Sequence, residues 1–171
     1  SQSLVPIELG PFSATAPNFL RQHIAMLNTD AHLGDHRLSS RFNFFKQSTL
    51  DTGNLPTPTF NSNVTQKIFR LTLSDVWTLR SNLVNELRVG YTHLKKNFPG
   101  DLPAAPGNTD VFGNYIIDET GLDIGPVAEY PQDSTIATLQ LGDSATYVRG
   151  AHTFKGGLEF RANGSAGGFL P

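Results

Sequence analysis

No cysteine occurs among the 171 residues, which excludes disulfides, thiolate metal ligands and cysteine nucleophiles. A run of about 18 apolar residues is also missing, so no helix of this chain is long and greasy enough to cross a bilayer; strands escape that test. Basic excess is absent: the formal net charge is -2, and binding nucleic-acid phosphates needs a concentrated cationic patch, so nucleic acid is not an expected partner. No secretory leader pattern stands at the start, as expected of a processed chain.

Catalytic signatures are equally scarce. There is no phosphate-binding loop, dinucleotide fingerprint or nucleophile elbow. Asp51-Thr52-Gly53 matches the aspartic-protease triplet, but two carboxylates must share a proton and the second copy would have to come from a dimer, whereas Asp and Gly are ordinary turn residues and a loop turn is the expected role. His32 and His36 have a metal-ligand spacing for a helix, yet they flank an expected turn. His23 and His93 are isolated, and His152 sits at a hairpin end. The expectation is a non-enzymatic chain without cofactor or metal.

What is present is alternation. With 16 Gly, 11 Pro and 12 Phe, the composition favours turns and strands. Leu139, Leu141, Ala145 and Tyr147 share one parity, and Thr138, Gln140, Gly142, Ser144 and Thr146 share the other, the period-two mark of a strand with unlike faces. After the tight Arg149-Gly150-Ala151 connection, Phe154, Leu158 and Phe160 oppose Thr153, Lys155, Glu159 and Arg161. An earlier unit repeats this, with Phe69, Leu71 and Leu73 against Arg70, Thr72 and Ser74, then Leu87, Val89 and Tyr91 against Glu86, Arg88, Gly90 and Thr92, joined through Leu79-Arg80-Ser81-Asn82. A first unit turns near Leu33-Gly34-Asp35 and sets Leu38, Phe42 and Phe44 against Ser39, Arg41 and Asn43. Its opening strand, about residues 20–31, alternates poorly, leaving two registers open. Asp143 falls on the apolar parity of its strand, and a bulge or an inward bend is the expected reason.

Three hairpins, about 20–47, 64–95 and 134–161, are therefore expected in a single unit, separated by Gly/Pro/Asn-rich loops at about 48–63 and 96–133. In an up-and-down antiparallel meander, that order puts every tight turn at one end and every long loop at the other. The fold class is all-β, about six strands, forming part of a β-barrel or assembling into one. An outer-membrane barrel has the same asymmetry, with an apolar outer face and a polar lumen. Expected lumen-facing residues are Arg70, Glu86, Arg88, Lys155, Glu159 and Arg161. Lipid- or partner-facing residues are Phe69, Leu71, Leu87, Val89, Tyr91, Tyr147, Phe154 and Phe160. Trp77, Tyr91 and Tyr147 suit interfacial aromatic girdles and equally the aromatic core of a sandwich; the nearness of Trp77 and Tyr147 to tight turns favours the girdle.

Asn85-Glu86-Leu87-Arg88-Val89-Gly90-Tyr91 and Gly150-Ala151-His152-Thr153-Phe154-Lys155, with Asp30, Asp35 and Arg41-Phe42-Asn43 upstream, resemble the barrel region of TonB-dependent receptors. The resemblance is strongest to the Oar-like group, which carries a carboxypeptidase-regulatory-like domain ahead of its plug. It covers about residues 25–161 and departs at Asn28, where Arg is usual, and at Gly156, where an outward aromatic is usual. It implies a Gram-negative outer-membrane location and energy-coupled uptake of a large or scarce ligand of unspecified chemistry. Residues 48–62 and 97–132 would be capture loops, and the lumen charges would face the ligand or fasten the wall to a plug. Such barrels have about twenty-two strands, so this chain is expected to be a piece of a larger barrel, or a small descendant completed by further copies. Its partners would be the rest of the barrel and plug, or copies of itself, together with lipid.

Two other functional classes fit the same alternation. A self-associating structural protein would pair its open edges into rings, tubes or fibres, released or outside the cell. A soluble carbohydrate-binding β-sandwich would use loop aromatics such as Phe60, Phe98, Tyr115 and Tyr130.

Overall fold

The computed structural model describes residues 10, 13, 15, 17–52, 60–99, 114–117, 122–127 and 129–168. Eight strands occur in chain order: β1 (Leu20–Leu33), β2 (His36–Asp51), β3 (Ser62–Arg80), β4 (Leu83–Phe98), β5 (Tyr115–Ile117), β6 (Leu122–Ile124), β7 (Gln132–Arg149) and β8 (His152–Ala166). Six of them form one antiparallel sheet in the order β1-β2-β3-β4-β7-β8, an uninterrupted meander. β5 and β6 form a separate two-stranded ribbon within the second long connection. The sheet is not closed: β1 and β8 each pair on one side only.

Alternation locks the pairing, because a one-residue slip would move every apolar side chain to the other face. Two hairpin turns place a glycine first, Gly34 with φ 61° and Gly150 with φ 59°, the left-handed conformation that a two-residue turn of twisted strands requires there. The Ser81-Asn82 turn has no glycine; instead the register shifts between Thr78 and Arg80. That extra residue supplies the bend without a left-handed side chain.

The strands outrun the expected hairpins, running 14 to 19 residues in the six-stranded sheet. β2 and β3 stay paired as far as Asp51 and Ser62, and β4 and β7 as far as Phe98 and Gln132. The long connections shrink accordingly to residues 52–61 and 99–131. Residues 53–59, 100–113, 118–121 and 128 of the expected capture loops lie outside the described residues.

β1 takes a single register, Leu20 opposite Thr49 through Leu33 opposite His36. Its alternation is poor because Ile24 and Met26 share the face of Asn28 and Asp30, while Ala25, Leu27, Ala31 and Leu33 take the other. Every β1 residue is exposed. The expected bulge at Asp143 is absent: pairing to β4 and β8 runs unbroken through it, so its carboxylate stays on the apolar face. There Asn85 Nδ2 donates to Asp143 Oδ1 at 2.9 Å, a local partner that removes the need for a bend.

Candidate functional site

The sheet has no interior of its own. Within the six-stranded sheet Val64 is the one buried apolar residue, while Leu27, Leu87, Phe154, Leu158 and Phe160 remain exposed. Its function must therefore be sought in what each face meets.

Cross-strand partners point to the same side, so the register assigns the faces. One lateral row is Thr29, Ser40, Leu73, Val89, Leu141 and Phe160; the next is Leu27, Phe42, Leu71, Tyr91, Leu139 and Ala162. Thus Phe69, Leu71, Leu87, Val89, Tyr91, Tyr147, Phe154 and Phe160 gather on one apolar face. Phe69 contacts Phe42 edge-on at 5.4 Å and Tyr91 at 6.2 Å, and Tyr147 stacks on Phe154 at 6.5 Å.

Near the tight turns this face becomes amphipathic. Trp77 stacks on His36 with ring centroids 5.0 Å apart, and His36 Nδ1 meets Asp75 Oδ2 at 2.8 Å. Asp75 and Asp143 flank Leu87 in one row, each met by a polar neighbour, His36 and Asn85 respectively. Asp75 was legible, having the parity of Leu71 and Leu73. His36, on this face, and His32, on the other, point away from each other and cannot share an ion.

Arg70, Glu86, Arg88, Lys155, Glu159 and Arg161 all fall on the opposite face. Arg88 Nε donates to Glu86 Oε1 at 2.8 Å, and Arg161 lies 3.5 Å from Glu159. Gln140 Nε2 donates to Glu159 Oε1 at 2.7 Å, Thr138 Oγ1 to Asn163 Oδ1 at 2.9 Å, and Arg41 Nη2 to Asp30 Oδ1 at 2.9 Å. Three of these bonds cross-link neighbouring strands, β1 to β2 and β7 to β8, while the two Arg–Glu pairs lie within β4 and within β8. Between them lies a depression of about 380 Å³ lined by Glu86, Arg88, Gln140 and Glu159, with Gly90 and Gly142 in its floor. Gly157 belongs there by necessity: a Cβ would lie 2.5 Å from the Asp143 carbonyl oxygen.

This polar wall is interrupted towards the long loops. Ile24, Phe45, Ile68, Leu94 and Ile136 occupy one lateral row on it. The shared parity of Ile68, Leu94 and Ile136 with their polar neighbours was visible in the sequence, but their alignment into a row needed the register. Beyond them, Tyr130 reaches over the rim: its hydroxyl donates to Asp51 Oδ2 at 2.5 Å, and its ring lies 5.2 Å from Phe98. Burial and the Asp51 carboxylate push the Tyr130 phenol well above its ordinary range. Of the aromatics considered for sugar binding, Phe98 and Tyr130 therefore meet, while Tyr115 is exposed on the β5–β6 ribbon. No second sheet covers the apolar face among the described residues, as a sandwich would require.

Residues 7–167 match the family model described as an outer membrane beta barrel domain. No curated protein matches the chain significantly. The match spans nearly the whole chain, and with it the protein is assigned to the Gram-negative outer membrane.

Proposed function

Because the chain belongs to the outer membrane beta barrel domain family, we propose that its sheet is one wall of a TonB-dependent, energy-coupled uptake receptor with no catalytic role. The observation that carries this reading is one register with an apolar face and an ion-paired face, all three tight turns at one rim and both long connections at the other. The dimensions suit a bilayer. From Ala137 to Tyr147 the apolar side of β7 covers about 34 Å of strand at ~3.4 Å per residue; inclined as barrel strands are, that is roughly 26 Å of height, close to an outer-membrane hydrocarbon band.

On this reading Phe69, Leu71, Leu87, Val89, Tyr91, Tyr147, Phe154 and Phe160 meet lipid, and Trp77 and Tyr147 mark the periplasmic interface. Arg70, Glu86, Arg88, Lys155, Glu159 and Arg161 line the lumen. The free backbone groups of β1 and β8 are not tolerated in lipid, so further strands pair with both edges. The lumen-side row from Ile24 to Ile136 then packs on a plug, since an apolar row facing water alone gains nothing. The loops at 52–61 and 99–131 take the ligand.

Trp77 is the one tryptophan of these 171 residues, so it reports alone once any tryptophan elsewhere in the full-length protein is replaced by phenylalanine. Full-length protein in vesicles of bromine-labelled lipid should lose its Trp77 emission, and detergent removal should precipitate it. A water-soluble monomer with unquenched Trp77 would refute the barrel; a large soluble oligomer would favour strand-edge self-assembly instead. The receptor assignment is checked separately by binding of the purified periplasmic domain of TonB to the full-length protein, and absence of binding would remove it.

A further inference from the structure

On the apolar face, the row next to the long loops is basic. Lys46 on β2 pairs with Lys67 on β3, and Lys67 pairs with Lys95 on β4; His23 of β1 stands beside Lys46 in the same row. Directly opposed side chains on neighbouring strands lie about 5 Å apart at Cβ, where like charges repel. Three lysines in line across three strands therefore destabilise the isolated sheet unless an anion lies over them. None of the four ion pairs among the described residues involves them. The nearest acidic position on this face by register is Asp133, one row further on opposite Asn97, and its Oδ1 accepts from the Gly168 amide at 3.4 Å.

The row is also shaped. Lys67, Lys95, Thr65 and Asn97 line a depression of about 280 Å³, so two ammonium groups stand beside a hydroxyl and an amide that can donate hydrogen bonds. Two cations flanked by neutral donors match the tetrahedral oxygens of a phosphate group. Its position says where the phosphate comes from. The lysine row lies two residues, roughly 7 Å of strand, beyond the Phe44, Phe69 and Ala137 row that ends the apolar belt. Lysine stems can lie along that belt while their ammonium groups reach the headgroup level. A soluble anion would have little reason to meet a site on the lipid side.

We infer that Lys46, Lys67 and Lys95, with Thr65 and Asn97, form a binding site for the anionic phosphomonoester headgroups of outer-leaflet lipid, as distinct from zwitterionic phosphodiesters. This rests on the reading that the apolar face meets lipid. It goes further in assigning the belt a preferred lipid, held at the long-loop rim.

The test uses full-length protein in neutral detergent, titrated with lipid A, with phosphatidylcholine, or with inorganic phosphate, and followed by native mass spectrometry and thermal unfolding. Lipid A should bind and raise the melting temperature, and phosphatidylcholine should do neither. A Lys46→Gln/Lys67→Gln/Lys95→Gln variant should lose about fivefold in affinity per lysine, roughly a hundredfold in all, and arginine at the three positions should restore it. The Gln variant should fold at least as well in neutral detergent, since removing the row relieves repulsion; if it does not fold, the Lys67→Gln/Lys95→Gln pair is used. Unchanged lipid A binding by the variants would overturn the inference, as would equal binding of phosphatidylcholine. Full displacement of lipid A by inorganic phosphate would reassign the site to a soluble anion and overturn the lipid assignment. Lipid A indifference in a protein that still needs detergent sinks only this inference, whereas solubility without detergent sinks the barrel reading beneath it.

Discussion

Val89 and Arg88 are neighbours in β4, yet they belong to different worlds. Around Val89 the side chains are Leu73, Leu141 and Phe160, held by shape with no hydrogen bond among them. Around Arg88 are Ser74, Gly142 and Glu159, on a face knit by ion pairs and amide bonds. The same backbone serves both because successive residues of a strand point to opposite sides. The difference teaches that this sheet separates two solvents. A polar network costs nothing beside water and is expensive in hydrocarbon, so its concentration on one face marks that face as the wetter one.

Reversing the contrast at its centre should have the largest effect. Val89→Arg places a guanidinium near mid-membrane and should cost about 2–4 kcal/mol in urea unfolding from lipid vesicles. Thr72→Arg, on the polar side, should stay within about 0.5 kcal/mol. Equal costs would mean that the faces do not differ in solvent. Next comes crowding of the depression on the polar face: Gly157→Val drives a side chain into Asp143 and Ser144 and should cost about 1–3 kcal/mol by the same measurement.

A subtler probe asks how the apolar face tolerates Asp143. Asn85→Leu removes its donor and should cost roughly 1–3 kcal/mol, whereas Asn85→Leu with Asp143→Leu should recover most of the loss, because both polar groups are then gone. Failure of the double variant to recover would show that Asn85 does not serve Asp143. At the rim, Tyr130→Phe should cost about 1 kcal/mol through loss of the Asp51 hydrogen bond. The raised phenol also sets a direction with pH: the contribution is complete below the unfolded tyrosine value and is lost as pH climbs through the higher folded one. Phenolate absorbance of the wild type against Tyr130→Phe would show late ionisation of this group. The smallest effect belongs to the exposed pair on β1 and β2, where Arg41→Ala should cost about 0.2–1 kcal/mol and fade with salt.

Much of this was readable beforehand. Leu87, Val89 and Tyr91 show their face through spacing alone, and Gly34 and Gly150 mark their turns because few other residues accept a positive φ. β1 was ambiguous since Ile24 and Met26 are apolar residues on the polar side, and an edge strand with both faces exposed has little burial to enforce a pattern. Asp143 misled because parity identifies an exception without revealing its partner, and Asn85 is 58 residues away. The candidate site divides similarly: each charge of the polar face was assignable one strand at a time, but the Lys46, Lys67 and Lys95 row exists only laterally.

By itself, then, the sequence determined which side of every sheet strand but β1 is oily and where the chain reverses, since both depend on residues adjacent along the backbone. Only the tertiary structure decided which residues stand abreast, because inter-strand hydrogen bonding sets the register between segments far apart in the chain. The lysine row, the apolar row inside the polar wall and the partnered aspartates all come from that register.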